Sequence, residues 1–225
     1  MNNNLVIHIM KLISTLTLAL ILMACQGEIS AQTEGPDEAT YTVLNAPLEP
    51  STGDKIEVME LFWYGCGHCF SLEPYVKNWK QNAQPENAEF VKLPAIFSQR
   101  WEFHGKAFYT MKALGVLEQA NDAFFRRIHV MRNPINTLDQ LVTFLEDYDQ
   151  TEEQVTQAFN SFGVDSQLRN AKIVTSKSTA QGVPAILVDG KYHTSVRLAG
   201  SQDKLFKVVN QLVEKAAAER AAAEG

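Results

Sequence analysis

A change of hydrophobic period, with two cysteines at the seam, constrains this chain more than any other feature. Ile56, Val58, Glu60 and Phe62 alternate with Glu57, Met59, Leu61 and Trp63, which is the period of a strand. Past Cys69 the apolar residues Leu72, Tyr75, Val76 and Trp79 fall at i, i+3, i+4 and i+7, and this predicts a helix that ends near Pro85. Cys66 therefore sits at or beside the helix N-terminus, where unpaired N–H groups and the positive end of the dipole favour an anion. That setting stabilises a thiolate, the form that attacks disulfides and leaves from them. Cys69 lies one turn deeper, close enough to close a disulfide with Cys66. The pattern reads as a redox site.

Zinc is the competing use of such a pair. A structural zinc needs four ligands, and the chain has no second CxxC. His68 could add one ligand, but the other histidines lack a matching spacing. The sequence thus points to no metal and to no cofactor beyond the Cys66–Cys69 disulfide. A formal charge of −6, with no basic stretch against it, argues against a nucleic-acid partner.

Cys25 has a different context. Met10-Lys11 followed by the apolar run from Leu12 to Ala24 has the form of a secretory signal, too short to span a bilayer, which takes about 20 residues. Leu22-Met23-Ala24-Cys25 resembles a lipoprotein signal, in which Cys25 would carry the lipid; the other reading is cleavage near residue 31. Either way the protein is exported to an oxidising compartment, the periplasm, tethered by lipid at Cys25 in the first case.

The expected organisation is a signal segment over residues 1–24, a polar tether over 25–40, and a first α/β half over 41–97. A helical segment follows over 98–178, then a second half over 179–225. Glu89 to Leu93 reads as a strand stopped at Pro94, so strand, helix and strand surround the CxxC. Thr137 can cap a helix, and Thr151-Glu152-Glu153-Gln154 is a capping-box sequence whose helix should stop at Gly163. Asp189-Gly190 signals a tight hairpin, and the tail from Ala216 reads as fraying.

Glu60 to Glu73 resembles the active-site segment of the DsbA family of bacterial thiol–disulfide oxidoreductases, and Gly182-Val183-Pro184-Ala185 resembles that family's second signature. The resemblance spans roughly residues 41–213 and implies a thioredoxin-like fold with an all-helical domain inserted between its two halves. It also implies that Cys66 is the exposed attacking cysteine and Cys69 the buried resolving one. It places a cis Pro184 opposite them, with Val183 presenting backbone groups to an extended substrate. One position departs from the family's best-known members: Gly67 stands where they have Pro, and Cys-Gly-His-Cys is the dipeptide choice of protein disulfide isomerases.

Two further residues carry chemistry. His68, between the cysteines, would lower the energy of the Cys66 thiolate. Glu60 shares a strand face with Ile56, Val58 and Phe62, so alternation points it inward, where desolvation raises its pKa and lets it exchange protons with Cys69 through water. Glu73 reads as half of a surface pair with Lys77, and His104, His129 and His193 read as packing or surface residues.

These readings converge on a periplasmic dithiol oxidase that introduces disulfides into unfolded or newly exported proteins with free thiols. A membrane reoxidase of the DsbB type is the partner the resemblance implies. The alternatives are a disulfide isomerase or specialised reductase of the same fold, which Gly67 brings in, and a metal-binding lipoprotein without turnover.

Overall fold

The computed structural model describes residues 35–225. Cys25 and the signal segment lie outside the described residues. Among those described, five strands form one mixed sheet: β1 (Thr42–Val43), β2 (Ile56–Phe62), β3 (Ala88–Pro94), β4 (Ala185–Val188) and β5 (Tyr192–Thr194). Their spatial order is β1-β5-β4-β2-β3. β2 runs parallel to β3 and antiparallel to β4, so β2 is central.

All seven residues of β2 are buried. Sequence alternation suggested one covered face, but Glu57, Met59 and Leu61 are covered as fully as Ile56, Val58 and Phe62. The reason is that helices lie on both faces of the sheet, as parallel pairing requires. On one face α1 (Gly67–Asn82) and α8 (Gln202–Glu224) pack Leu72, Val76, Trp79, Leu205, Val209 and Leu212 against Ile56, Val58, Ile186 and Val188. Trp79 donates through Nε1 to Asn210 Oδ1 at 2.8 Å and fastens the two helices together.

The chain between β3 and β4 is helical: α2 (Gln99–Ala113), α3 (Leu117–His129), α4 (Leu138–Glu146), α5 (Glu152–Phe159) and α6 (Phe162–Lys177). Phe108, Phe124, Phe125, Leu141, Leu145 and Val155 belong to a core continuous with Met59, Leu61, Phe62 and Leu93 of the sheet. Capping boxes start two of these helices, Thr137 with Gln140 and Thr151 with Gln154. Gly163 is not the expected stop. α5 has already ended at Phe159, and Ser161 caps the next helix by accepting from Val164 N at 3.2 Å. Phe162 is left 81% exposed.

Asp189 and Gly190 both take positive φ, 55° and 62°, and form the β4–β5 hairpin. Any Cβ on Gly190 would collide with the Leu48 carbonyl. A short helix, α7 (Val196–Ala199), then leads to α8. The tail does not fray where expected. α8 continues to Glu224 because its last turns are tied to the hairpin: Glu219 accepts from Lys191 Nζ and Tyr192 Oη, each at 2.6 Å, and Arg220 pairs with Asp189.

Candidate active site

Central strand β2 delivers the chain to the edge of the sheet, and residues 63–66 turn it into α1. Cys66 N donates to the Trp63 carbonyl at 2.9 Å, which closes that turn. Gly65 is required there, since the Trp63 indole folds over it and a Cβ would strike the ring. Cys66 is the N-cap of α1, and its Sγ accepts from Cys69 N at 3.4 Å. It is half-buried, whereas Cys69, one turn on, is 0% exposed.

Burial and hydrogen bonding separate the two thiols. Cys66 is lowered to about 6: contact with the Cys69 thiol contributes most, burial opposes it, and the N–H groups of Cys69 and His68 and the His68 imidazole add to the lowering. Cys69 is pushed far up, chiefly by burial, then by its contact with Cys66 and by the Glu60 carboxylate. His68 is exposed in the first turn of the helix. The Val183–Pro184 peptide is cis, and the Val183 carbonyl lies 3.5 Å from Cys66 Sγ.

Beneath the cysteines, Glu60 is 0% exposed. In the parallel register of β2 and β3 it stands opposite Lys92. Lys92 Nζ is 3.3 Å from Glu60 Oε2, but neither Glu60 oxygen accepts a well-formed hydrogen bond, so the contact is electrostatic. Lys92 also pairs with Glu73, and its ammonium lies 4.6 Å from the Phe62 ring centroid. Desolvation raises Glu60 to about 7, although Lys92 pulls it down and Glu73 pushes it up. Burial works against the charge on Lys92, yet Glu60 and Glu73 hold it above the ordinary lysine value. Glu73 is thus not the expected surface partner of Lys77. It faces inward, accepting from Asn121 Nδ2 at 3.0 Å, and Asn121 Oδ1 in turn accepts from Tyr64 Oη at 2.9 Å.

A half-buried, acidified thiol over a fully buried one, with a cis X–Pro bond beside them on this sheet, narrows the possible relatives. A family model of the DSBA-like thioredoxin domain matches residues 91–212. Over 207 residues the chain is 35% identical to the thiol:disulfide interchange protein DsbA of Pseudomonas aeruginosa, an alignment covering 92% of this chain and 96% of that protein. This chain belongs to the DsbA family. It is 32% identical over 208 residues to the DsbA of Pseudomonas syringae, covering 92% of this chain and 95% of the other. The crystal structure of Pseudomonas aeruginosa DsbA superposes with a TM-score of 0.75 at 35% identity, over 83% of this chain and 95% of that one. The protein is accordingly a thiol:disulfide oxidoreductase with the thioredoxin-like DsbA fold and its inserted helices.

Within this DsbA-family site the structure brings together Cys66, Cys69, His68, Glu60, Val183 and Pro184. It adds three residues that sequence reasoning passed over or placed elsewhere. Lys92 is the counter-ion of Glu60, and Asn121 links the insertion to Glu73. His129, read as a packing or surface residue, reaches the Tyr64 carbonyl with Nε2 at 2.8 Å. His104 is buried among Trp63, Phe103 and Phe124, and burial lowers it to about 4. His193, half-buried on β5 and lowered by burial, stands beside Thr42. Among the described residues no group of His, Cys, Asp and Glu is gathered as a metal site.

Proposed function

We propose that this protein oxidises exported proteins in the periplasm through the Cys66–Cys69 disulfide, with Cys66 as the attacked sulfur. The observation that carries the reading is the contrast at the helix start: Cys66 is half-exposed and lowered to about 6, whereas Cys69 is buried and raised. A client thiolate attacks Cys66 Sγ and the Cys66–Cys69 bond breaks, with the electron pair leaving on Cys69. Because the Cys69 thiol is so weakly acidic, that sulfur takes up a proton at once. Glu60, close enough to raise Cys69 and itself near 7, supplies it. A second client thiolate then attacks the client sulfur of the mixed disulfide, and Cys66 departs as the stabilised thiolate. The client has lost two electrons and the enzyme has gained them.

His68 serves as one of the groups that favour that departing thiolate. The Val183 carbonyl, beside Cys66 and ahead of cis Pro184, serves as a backbone acceptor for an extended client segment, which explains tolerance of many sequences. Two electrons must return to an acceptor after each cycle, so a membrane reoxidase of the DsbB type completes it. Lipidation of Cys25 would hold the enzyme near that partner.

The test is trapping. Cys69→Ala should accumulate mixed disulfides with reduced client proteins on non-reducing gels, and Cys66→Ser should abolish them. Adducts that persist without Cys66 would overturn the assignment. Gly67 favours a second reading, an isomerase or reductase. A Cys66–Cys69 potential in the isomerase range against a glutathione buffer, with weak net oxidation of clients, would select it.

A further inference from the structure

The redox pair stands on the thioredoxin-like half, but one side chain from the insertion touches both of its flanks. His129, the last residue of α3, donates from Nε2 to the Tyr64 carbonyl at 2.8 Å, two residues before Cys66. The same imidazole stacks on Phe70, the residue after Cys69, with centroids 5.1 Å apart and planes 11° from parallel. We propose that His129 is a positioning residue, clamping the chain on both sides of Cys66 and Cys69 and so setting the reactivity of the Cys66 thiol. This inference rests on Cys66 being the reactive sulfur.

Tyr64 is a short lever for such a clamp. Its hydroxyl is fixed by Asn121, eight positions before His129 on the same helix, and its ring is packed against Phe124 and Phe125 at 4.3 and 4.7 Å. The turn that follows uses the Trp63 carbonyl for its own hydrogen bond, so the Tyr64 carbonyl finds its donor in the imidazole. A carbonyl oxygen can only accept, which requires His129 to carry its proton on Nε2. The stabilisation of the Cys66 thiolate depends in turn on short-range geometry, the approach of the Cys69 thiol first and then of the Cys69 and His68 N–H groups to Sγ. A residue that fixes Tyr64 on one side and Phe70 on the other fixes that approach. Helix α3 thereby holds the redox turn by a polar contact that packing alone would not supply.

Two variants separate the donor from the ring. His129→Phe keeps an aromatic over Phe70 and removes the donor; His129→Gln returns an N–H on a flexible stem. The readouts are the ultraviolet thiolate titration of Cys66 and the reduction potential in a glutathione buffer. For His129→Phe we expect the thiolate fraction at mildly acidic pH to fall at least threefold and the potential to become less oxidising. His129→Gln should recover most of both. Unchanged titration and potential in His129→Phe, or equal shifts in both variants, would overturn the clamp. Should His129→Phe fail to fold, the ring nitrogen shifts of His129 in the wild-type protein decide the matter. A proton on Nε2 is expected, and an Nε2 without one refutes the donor. Cys66→Ser, titrated in parallel, keeps the two readings apart. If the low-pH thiolate signal survives in it, the Cys66 assignment fails; if the signal is lost there but His129 variants behave as wild type, only the clamp fails.

Discussion

At the scale of residues, Cys66 and Glu60 are displaced in opposite directions, the first lowered by its hydrogen bonds in spite of burial and the second raised by burial, and each makes a measurable statement about pH. Cys66 has a folded value near 6, below its ordinary 9, so its contribution to the reduced protein is complete above 9 and lost as pH falls through 6. Denaturant midpoints should therefore show the reduced form gaining on the oxidised form from pH 6 to 9, by about 2 kcal/mol once solvent screening is allowed for. The short loop closed by the disulfide opposes this only weakly. Glu60 has the opposite sign. Raised from 4.5 to about 7, it stabilises fully below 4.5, and that contribution is lost as pH rises through 7. Relative to wild type, Glu60→Gln should gain on the order of 2–3 kcal/mol across that window, read from urea midpoints at several pH values. A flat difference would mean that the carboxyl titrates normally. The inward direction of Glu60 was legible in the alternation of β2. Its partner was not, because the register that sets Lys92 opposite it is fixed by how the α1 crossover packs. His129 was hidden for the same kind of reason: it meets Tyr64 across 65 residues of sequence.

At the scale of elements, the start of α1 is the most consequential junction. Gly67 is its first helical residue, and a side chain there would meet nothing within 4 Å. Proline suits that position, since its missing N–H would be unpaired anyway. The Cys66 thiolate draws on the Cys69 thiol and on the N–H groups of Cys69 and His68, so no donor it uses is lost. Gly67→Pro should keep the fold, hold or raise the denaturant midpoint, and shift the couple to a more oxidising potential. An unchanged or lowered potential would show that this dipeptide does not set the poise. The strand, the helix and the capped helices of the insertion could be read ahead because local chemistry fixes them: a switch of period, or a threonine reciprocated by a glutamine three residues on. The end of α8 could not, because alanines that propensity alone leaves to fray are anchored through Glu219 and Arg220 to a hairpin nearly 30 residues earlier.

At the scale of the whole molecule, Lys92 is where the pieces meet. One ammonium on β3 lies against a carboxylate of β2 and another of α1, and through Glu73 and Asn121 it is linked to the insertion. Lys92→Met would leave Glu60 and Glu73 facing each other without a cation. Breaking such a buried pair costs about 3–5 kcal/mol, and we expect that loss at pH 8 in urea or thermal unfolding. It should shrink towards pH 5, because Glu60, deprived of Lys92, takes up a proton still more readily. A loss that does not change with pH would place the effect in packing rather than charge.

The contact between Cys66 and Val183 bridges 117 residues. A chain threaded through a membrane with its N-terminus leading would present both cysteines long before the segment that completes their surroundings arrives. β4, which pairs with the central strand, comes later still than all five inserted helices. The thiol setting described above therefore belongs to the finished chain: its N-terminal part carries both cysteines but not the Val183 carbonyl that closes over Cys66.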